Sequence, residues 1–171
     1  MRDEDCFQPA KLGELPNRDL ILKSNDGSVT LFDRKTKRRK AYNPLGSVYL
    51  NPSSPPISLS KDLVAVETNS DVFILDAKTL QTKCVIQFSG QFRSNGSTGL
   101  TLLPNGYLLI SSRYGHKLLV VDPNTGIVVA QVWLDFGPKD VIYNPILRLL
   151  VIVDEGGRIS FYGIDYAGMS S

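Results

Sequence analysis

The sequence predicts an all-β protein made of a repeated unit of four short antiparallel strands. Three observations support this class. Short apolar runs alternate with clusters of Gly, Pro, Asn and Asp, no window of about a dozen residues keeps a helical period, and the strand pattern recurs after 40-odd residues. At 171 residues the chain is long enough for one domain with a sizeable core.

Residues 99–134 contain the clearest copy of the unit. Pro104-Asn105-Gly106 is a tight-turn sequence in which Gly supplies a positive φ. Asp122-Pro123-Asn124-Thr125-Gly126 combines an Asp that bonds its own backbone, a Pro that presets φ and a closing Gly. Between them, residues 117–121 form a β-branched run typical of a strand buried on both faces. The predicted strands are residues 99–103, 107–112, 117–121 and 127–134.

The rest of the chain divides into weaker copies and two flanking segments. The predicted copies span residues 19–50, 57–88 and 139–165, and the last of them lacks a convincing fourth strand. Residues 1–18 are an irregular lead-in with one edge strand near 10–15, and residues 166–171 are a polar tail. The predicted strands of the first copy are 19–23, 28–33 and 40–42, which opens the fourth-strand equivalent, and residues 44–56 are mostly loop around a brief strand at 48–50. Those of the second copy are 57–59, 63–67, 72–76 and 82–88, and those of the last are 140–143, 147–153 and 158–162.

The copies align best through the third strand and the turn after it. The aligned segments read SVTLFDRKTK (28–37), DVFILDAKTL (71–80), KLLVVDPNTG (117–126) and RISFYGIDYA (158–167). In the first three an Asp ends the strand and a Thr follows three residues later, as Asp33 and Thr36, Asp76 and Thr79, and Asp122 and Thr125. We expect the Asp to cap the turn and the Thr hydroxyl to bond back to it.

This pattern resembles the blades of β-propeller repeat families of the WD, NHL and YVTN types, over roughly residues 19–163. Leu103-Pro104-Asn105-Gly106 stands where those families often place a Pro-x-Gly turn, whereas no Trp-Asp dipeptide occurs. The resemblance implies about four blade equivalents, with a partial or shared propeller favoured over a closed four-blade ring. Residues 8–15 could supply the missing strand of the last blade; otherwise the chain is half of a larger ring that a second chain or further residues complete. The resemblance to propeller repeats also implies that the chain is a docking platform for protein partners.

Composition excludes several classes of function. The formal net charge of +2 is too small to indicate a polyanion partner for the chain as a whole. Two cysteines, Cys6 and Cys84, favour a reducing compartment over a disulfide framework. The charged start of the sequence does not fit a secretory signal, and no apolar run approaches the roughly 20 residues of a membrane helix. We therefore expect an intracellular protein, cytoplasmic or nuclear, without a membrane partner.

The residues give no support for catalytic, cofactor or metal sites. His116 is the one histidine, and with two separated cysteines it cannot build a usual zinc site. The Gly-rich segments 94–99 and 155–157 lack the helix and Lys of a phosphate-binding loop. Asp154-Glu155 could bind a hard cation, but no spacing matches a calcium loop.

Contacts with partners are predicted at one charged segment and two loops. The charged segment, here called the basic run, contains Arg34, Lys35, Lys37, Arg38, Arg39 and Lys40, on a turn expected to be exposed. The loops pair cations with aromatic residues: Phe92 with Arg93, and Arg113 with Tyr114 and His116.

Three functional hypotheses follow. The leading one is a non-enzymatic protein-interaction scaffold in a larger assembly. The second is a nucleic-acid-associated subunit that uses the basic run. The third is a hydrolase or sugar-binding enzyme with an axial site, which the scarcity of clustered carboxylates and histidines argues against.

Overall fold

The computed structural model describes residues 9–24, 27–45, 55–68, 71–87 and 99–164. These residues form fifteen β-strands and, within those ranges, no helix, so the all-β prediction is confirmed. None of this described part contains a helix long and apolar enough to cross a membrane. The chain divides into two compact units, unit 1 (Met1–Phe88) and unit 2 (Ser89–Ser171).

Unit 1 contains two antiparallel sheets of four strands each, with the strands in chain order. Its core is formed by alternate apolar residues that face inward from the strands, including Ile21, Leu31 and Val64. The first sheet contains β1 (Pro9–Glu14), β2 (Leu20–Ser24), β3 (Val29–Phe32) and β4 (Arg39–Asn43). The second contains β5 (Ile57–Ser58), β6 (Leu63–Glu67), β7 (Asp71–Asp76) and β8 (Thr82–Gln87).

Unit 2 contains one sheet of four strands and one of three. Leu118, Val120, Val141 and Ile152 are buried in the core of this unit. All five residues of β11 are buried, as its β-branched run predicts. The third sheet contains β9 (Leu100–Leu102), β10 (Leu108–Ser112), β11 (Lys117–Val121) and β12 (Val128–Trp133), and the last contains β13 (Pro138–Asn144), β14 (Leu149–Asp154) and β15 (Ile159–Gly163).

The structure corrects the prediction that residues 8–15 could complete the last copy. The strand in this segment, β1, pairs antiparallel with β2 from Glu14–Leu20 to Pro9–Ser24. It is therefore the first strand of the first sheet, and the last sheet has three strands within the described residues. The predicted strand at 48–50, the turn residues 25–26 and 69–70, the connection 89–98 and the tail 166–171 lie outside the described residues.

The turn after the third strand has the same structure in the first three sheets, as the Asp-x-x-Thr repeat predicts. Each Asp carboxylate accepts hydrogen bonds of 2.8–3.0 Å from turn N–H groups. The Thr79 and Thr125 hydroxyls donate back to their aspartates at 3.0 Å. The donors are the N–H groups of Lys35 and Thr36 for Asp33, Lys78 and Thr79 for Asp76, and Asn124 for Asp122.

The fifth residue of this turn has a left-handed backbone conformation in all three sheets. The φ values are 55° at Lys37, 59° at Leu80 and 74° at Gly126. Each of these residues donates its N–H to the carbonyl of the turn's Asp at 2.8 Å. Gly adopts this conformation at little cost, whereas Lys37 and Leu80 are strained by their Cβ atoms.

Candidate functional site

The basic run lies on the turn between β3 and β4 and on the start of β4, and all of its residues are exposed, as predicted. Acidic side chains of the first sheet neutralise two of its six cations. Arg34 lies 3.2 Å from the carboxylate of Glu14, and Lys40 lies 2.7 Å from Asp19 and 3.3 Å from Asp33. The hydrogen bond from Lys40 to Asp19 is the main cause that raises the pKa of Lys40.

The other four cations of the run differ in their surroundings. The Arg39 guanidinium lies 5.7 Å from the centre of the Tyr42 ring. Among the described residues, Lys35, Lys37 and Arg38 make no ion pair. An open depression of about 850 Å³ lies beside the run, between the turn at 16–19 and the turn at 33–40. Three charges are thus available to an anionic partner.

The predicted loop with Arg113, Tyr114 and His116 connects β10 to β11 in unit 2. The Arg113 side chain donates a hydrogen bond to the Glu155 carboxylate and lies 5.3 Å from the Tyr114 ring centre. His116 shares a pocket of about 250 Å³ with Asp154 and Glu155. The fold therefore brings together two turns that are about 40 residues apart in sequence. The Phe92-Arg93 loop lies outside the described residues.

The chemistry of this pocket is that of paired charges. Arg158 donates from its backbone N–H and its guanidinium to Asp154, at 2.8 and 2.9 Å. The bond from the Arg158 N–H is the main cause that lowers the pKa of Asp154. A general acid needs a carboxyl pKa raised toward neutrality, which is the opposite direction. No group of three potential metal ligands is found among the described residues.

An apolar groove in unit 2 is a feature that the sequence analysis did not predict. It has a volume of about 590 Å³ and lies between β12 of the third sheet and β15 of the last. Leu118 and Val120 line it from the third sheet, and Leu150 and Ile152 from the last. Its rim carries Val132, Trp133, Tyr162 and Ile164.

Exposed apolar side chains concentrate around this groove and on the last sheet. Trp133 is 64% exposed and Phe161 is 63% exposed. Of the large apolar residues that the structure describes as exposed, two belong to unit 1, Leu12 and Tyr42. Those of unit 2 are Tyr114, Ile127, Val128, Val129, Val132, Trp133, Ile142, Ile146, Leu147, Ile159, Phe161 and Tyr162.

A buried charge pair in unit 1 was also not predicted. Lys23 on β2 is fully buried and Glu67 on β6 is 1% exposed. Burial lowers the pKa of Lys23 to about 8, against the Glu67 charge, which raises it. Only the position of these residues in the repeat could have indicated the pair. Lys23, Glu67 and Ser111 stand at the same place in three sheets, each opposite the first apolar residue of the third strand.

Comparison with known proteins identifies a fold and no closer relationship. No protein-family model matches the chain, and no curated protein matches it. Solved structures match over nearly its whole length. The β-propeller domain of Myceliophteria thermophila Cps50 (Swd1) has a TM-score of 0.74 at 15% identity, with 93% of this chain and 52% of that chain covered.

Two further structures extend the comparison. The Neurospora crassa Pan2 WD40 domain has a TM-score of 0.69 at 12% identity, with 95% of this chain and 48% of that chain covered. The computationally designed Ika4 protein has a TM-score of 0.72 at 12% identity, with 96% of each chain covered. The present chain therefore spans about half the length of the two natural domains.

The chain has a β-propeller type of fold, as the blade-like repeat predicts. Its four small antiparallel sheets correspond to propeller blades, three with four strands and one with three. The neighbours include WD40 and other propeller domains, and at these identities the likeness concerns the fold alone. No particular propeller family is assigned.

Proposed function

We propose that the chain is a non-enzymatic protein-interaction scaffold whose main contact surface is in unit 2. The observation that carries this proposal is the apolar groove between β12 and β15, together with the exposed apolar side chains beside it. Contiguous exposed apolar surface on a protein marks a site of interaction. The resemblance to propeller repeats, which mostly serve as docking platforms, supports the same class of function.

The composition of the surface fits a protein partner better than a small polar ligand. Aromatic side chains that become buried at the centre of an interface supply most of its binding energy. Covering the exposed parts of Trp133 and Phe161 would contribute roughly 2–3 kcal/mol each. Trp133 lines the groove, whereas Phe161 lies on the face of β15 that points away from it, so a partner would cover both the groove and the outer face of the last sheet.

The test compares variants in the capture of partners from the native source. Trp133→Ser with Phe161→Ser removes both aromatic anchors, and Ile146→Ser is the matched control because Ile146 is 88% exposed on a turn of the last sheet. We expect a captured protein, purified and measured by calorimetry, to bind wild type and control equally and the double variant at least about tenfold more weakly. Equal binding by all three chains would contradict the proposal.

A second candidate function is nucleic-acid binding by the basic run. It is favoured by the three exposed cations that have neither an ion pair nor an aromatic contact among the described residues, Lys35, Lys37 and Arg38. Three phosphate contacts predict a slope of log K against log salt of about −2 to −3. RNA or DNA binding with that slope, lost on neutralising Lys37 and Arg38 and kept in the Trp133→Ser variant, would favour this function.

A further inference from the structure

We propose that the open edge of β15 binds an extended segment of a partner protein as a fourth antiparallel strand. The segment has a small residue opposite Phe161 and a larger residue two positions later. This inference rests on the proposed scaffold function and specifies how that surface is used. Strand addition to a sheet edge takes its affinity from main-chain hydrogen bonds and its specificity from alternate side chains.

The edge is open in the described part of the chain. In each of the first three sheets the third strand lies between two others, whereas β15 pairs with β14 alone. Both faces of β15 are apolar and accessible. Ile159 and Phe161 alternate onto one face and are 55% and 63% exposed, and Tyr162 on the other face lines the groove.

The repeat shows which residues of the third strand pair with a fourth strand. Aligned copies place Phe161 at the same position as Leu31, Ile74 and Val120. Those three residues are buried, and each is paired with a residue of a fourth strand. Ile159 stands at the position of Val29, Val72 and Leu118, which are likewise buried and paired. Their burial also depends on a neighbouring sheet, because Leu31 clusters with Val64 and Val120 with Ile152, so exposure at Ile159 and Phe161 marks an uncovered face and the pairing of β15 with β14 alone marks the open edge.

The residues opposite these positions define the partner segment. The partner of Leu31 is Ala41, that of Ile74 is Cys84, and that of Val120 is Ala130. All three are small. Two residues later come Asn43, Ile86 and Val132, which pair with the equivalents of Ile159. The partner segment is therefore expected to contain three consecutive positions: a small residue opposite Phe161, any residue, and a larger residue opposite Ile159.

A recurrent irregularity adds a third requirement. The pairing of the third and fourth strands shifts by one residue at the same place in the first three sheets, between Leu31 and Phe32, Ile74 and Leu75, and Val120 and Val121. Such a β-bulge bends the strand and increases its twist. The residue before the small one lies in this bulge, so we expect the partner segment to tolerate an insertion there.

The experiment uses a peptide taken from the chain itself. A fluorescein-labelled peptide of residues 81–87 with Cys84→Ala carries the pattern of β8, and its binding to the full chain is measured by fluorescence anisotropy. Two control peptides keep the length: one with Cys84→Trp, and one with alternate backbone amides methylated. We expect the first peptide to bind at least about tenfold more tightly than either control.

Variants of the chain complete the test. Phe161→Lys should abolish peptide binding, whereas Ile146→Lys places the same charge on the same sheet away from β15 and should preserve it. Equal binding of the three peptides, or no binding of any, would overturn strand addition. If strand addition were overturned in this way but the Trp133→Ser, Phe161→Ser double variant failed to bind its partner protein, the scaffold function would stand and strand addition alone would be wrong.

Two other occupants of the edge would also overturn the proposal. One is a second copy of the chain, which would appear by light scattering as a dimer that Phe161→Lys dissociates. The other is the chain's own residues 165–171, which would appear as peptide binding only after those residues are removed.

Discussion

Replacing Lys23 and Glu67, the buried charge pair of unit 1, singly and together by apolar residues separates two contributions to the free energy of unfolding. One is the cost of burying the charges, and the other is the cost of leaving one charge without its partner. The three variants are Lys23→Met, Glu67→Leu and the double replacement, since both side chains are almost completely inaccessible to solvent. Lys23→Met leaves a carboxylate buried beside apolar strands. We expect this single change to lower the free energy of unfolding by about 3–5 kcal/mol.

The double variant should recover most of that loss. The pKa of Lys23 falls from 10.5 to about 8, with burial as the largest cause, which corresponds to about 3 kcal/mol that unit 1 loses by holding the ammonium charged. Removing both charges removes this cost. The double variant should lie within about 1 kcal/mol of wild type or exceed it.

The pH dependence gives an independent check with a definite sign. Between pH 8 and 10.5 unfolded Lys23 binds a proton that the folded chain has released. The stability of wild type relative to the double variant should therefore rise with pH in this window and stay constant below it.

Unfolding in urea is monitored by amide hydrogen exchange in β2 and β6, which lie in unit 1. Tryptophan fluorescence is unsuitable, because Trp133 lies in unit 2 and reports on that unit. The control is Lys83→Met, which breaks an exposed pair with Asp76 at 3.5 Å and should cost less than about 1 kcal/mol. A double variant less stable than both single variants would refute the reasoning. So would a difference from wild type that does not change between pH 8 and 10.5.

Three further predictions concern single positions. Lys37→Gly relieves a left-handed φ and should raise the free energy of unfolding, measured by urea titration, by up to about 1 kcal/mol, whereas Gly126→Ala at the equivalent position should lower it by about 1 kcal/mol. Gly99→Ala should cost about 1–3 kcal/mol, because its Cβ would lie 2.3 Å from a backbone nitrogen of β13, and Gly163→Ala, with open space around it, is the control that should change little. The hydrogen bond from the Asn124 N–H lowers the pKa of Asp122, so this carboxylate stabilises the fold above pH 3.8 and loses that effect as pH falls. Asp122→Asn should therefore flatten the acid side of the stability curve, and an unchanged slope would contradict this.

The strands were predictable from the sequence because local chemistry sets where a strand ends. The prediction 117–121 agrees with β11 and 63–67 with β6, and most other ends differ by one or two residues. Turn residues such as Asp122 and Gly126 determine these ends through contacts a few residues long. Sequence patterns report such contacts directly.

The assignment of β1 was missed although a local signal exists. Leu15-Pro16-Asn17 repeats Leu103-Pro104-Asn105, and each begins the turn between the first and second strands of its sheet. Arg18 has a φ of 67° where Gly106 has 86°, and both donate their N–H to the Leu carbonyl of the turn, at 2.8 and 2.9 Å. Because Arg18 stands where a turn Gly is expected, the sequence did not identify residues 15–18 as a copy of the turn at 103–106.

The groove and the Lys23–Glu67 pair could not be located from the sequence. Both depend on how one sheet packs against the next, which joins residues 30 or more positions apart, such as Leu118 with Leu150 and Lys23 with Glu67. The loop with Arg113 and His116 was predicted as a contact site, but its partners Asp154 and Glu155 emerge only from that packing.

Sheets of similar build carry a hazard during folding, because one sheet can dock against the wrong neighbour in its own molecule or in another. The position held by Lys23 in the first sheet is held by Glu67, Ser111 and Val153 in the others. Two first sheets that met face to face would bury two lysines, whereas the first and second sheets bury opposite charges. The sheets are therefore not equivalent at this position, and a wrong neighbour in unit 1 that placed a second lysine beside Lys23 would bury like charges, which costs more than the pairing with Glu67.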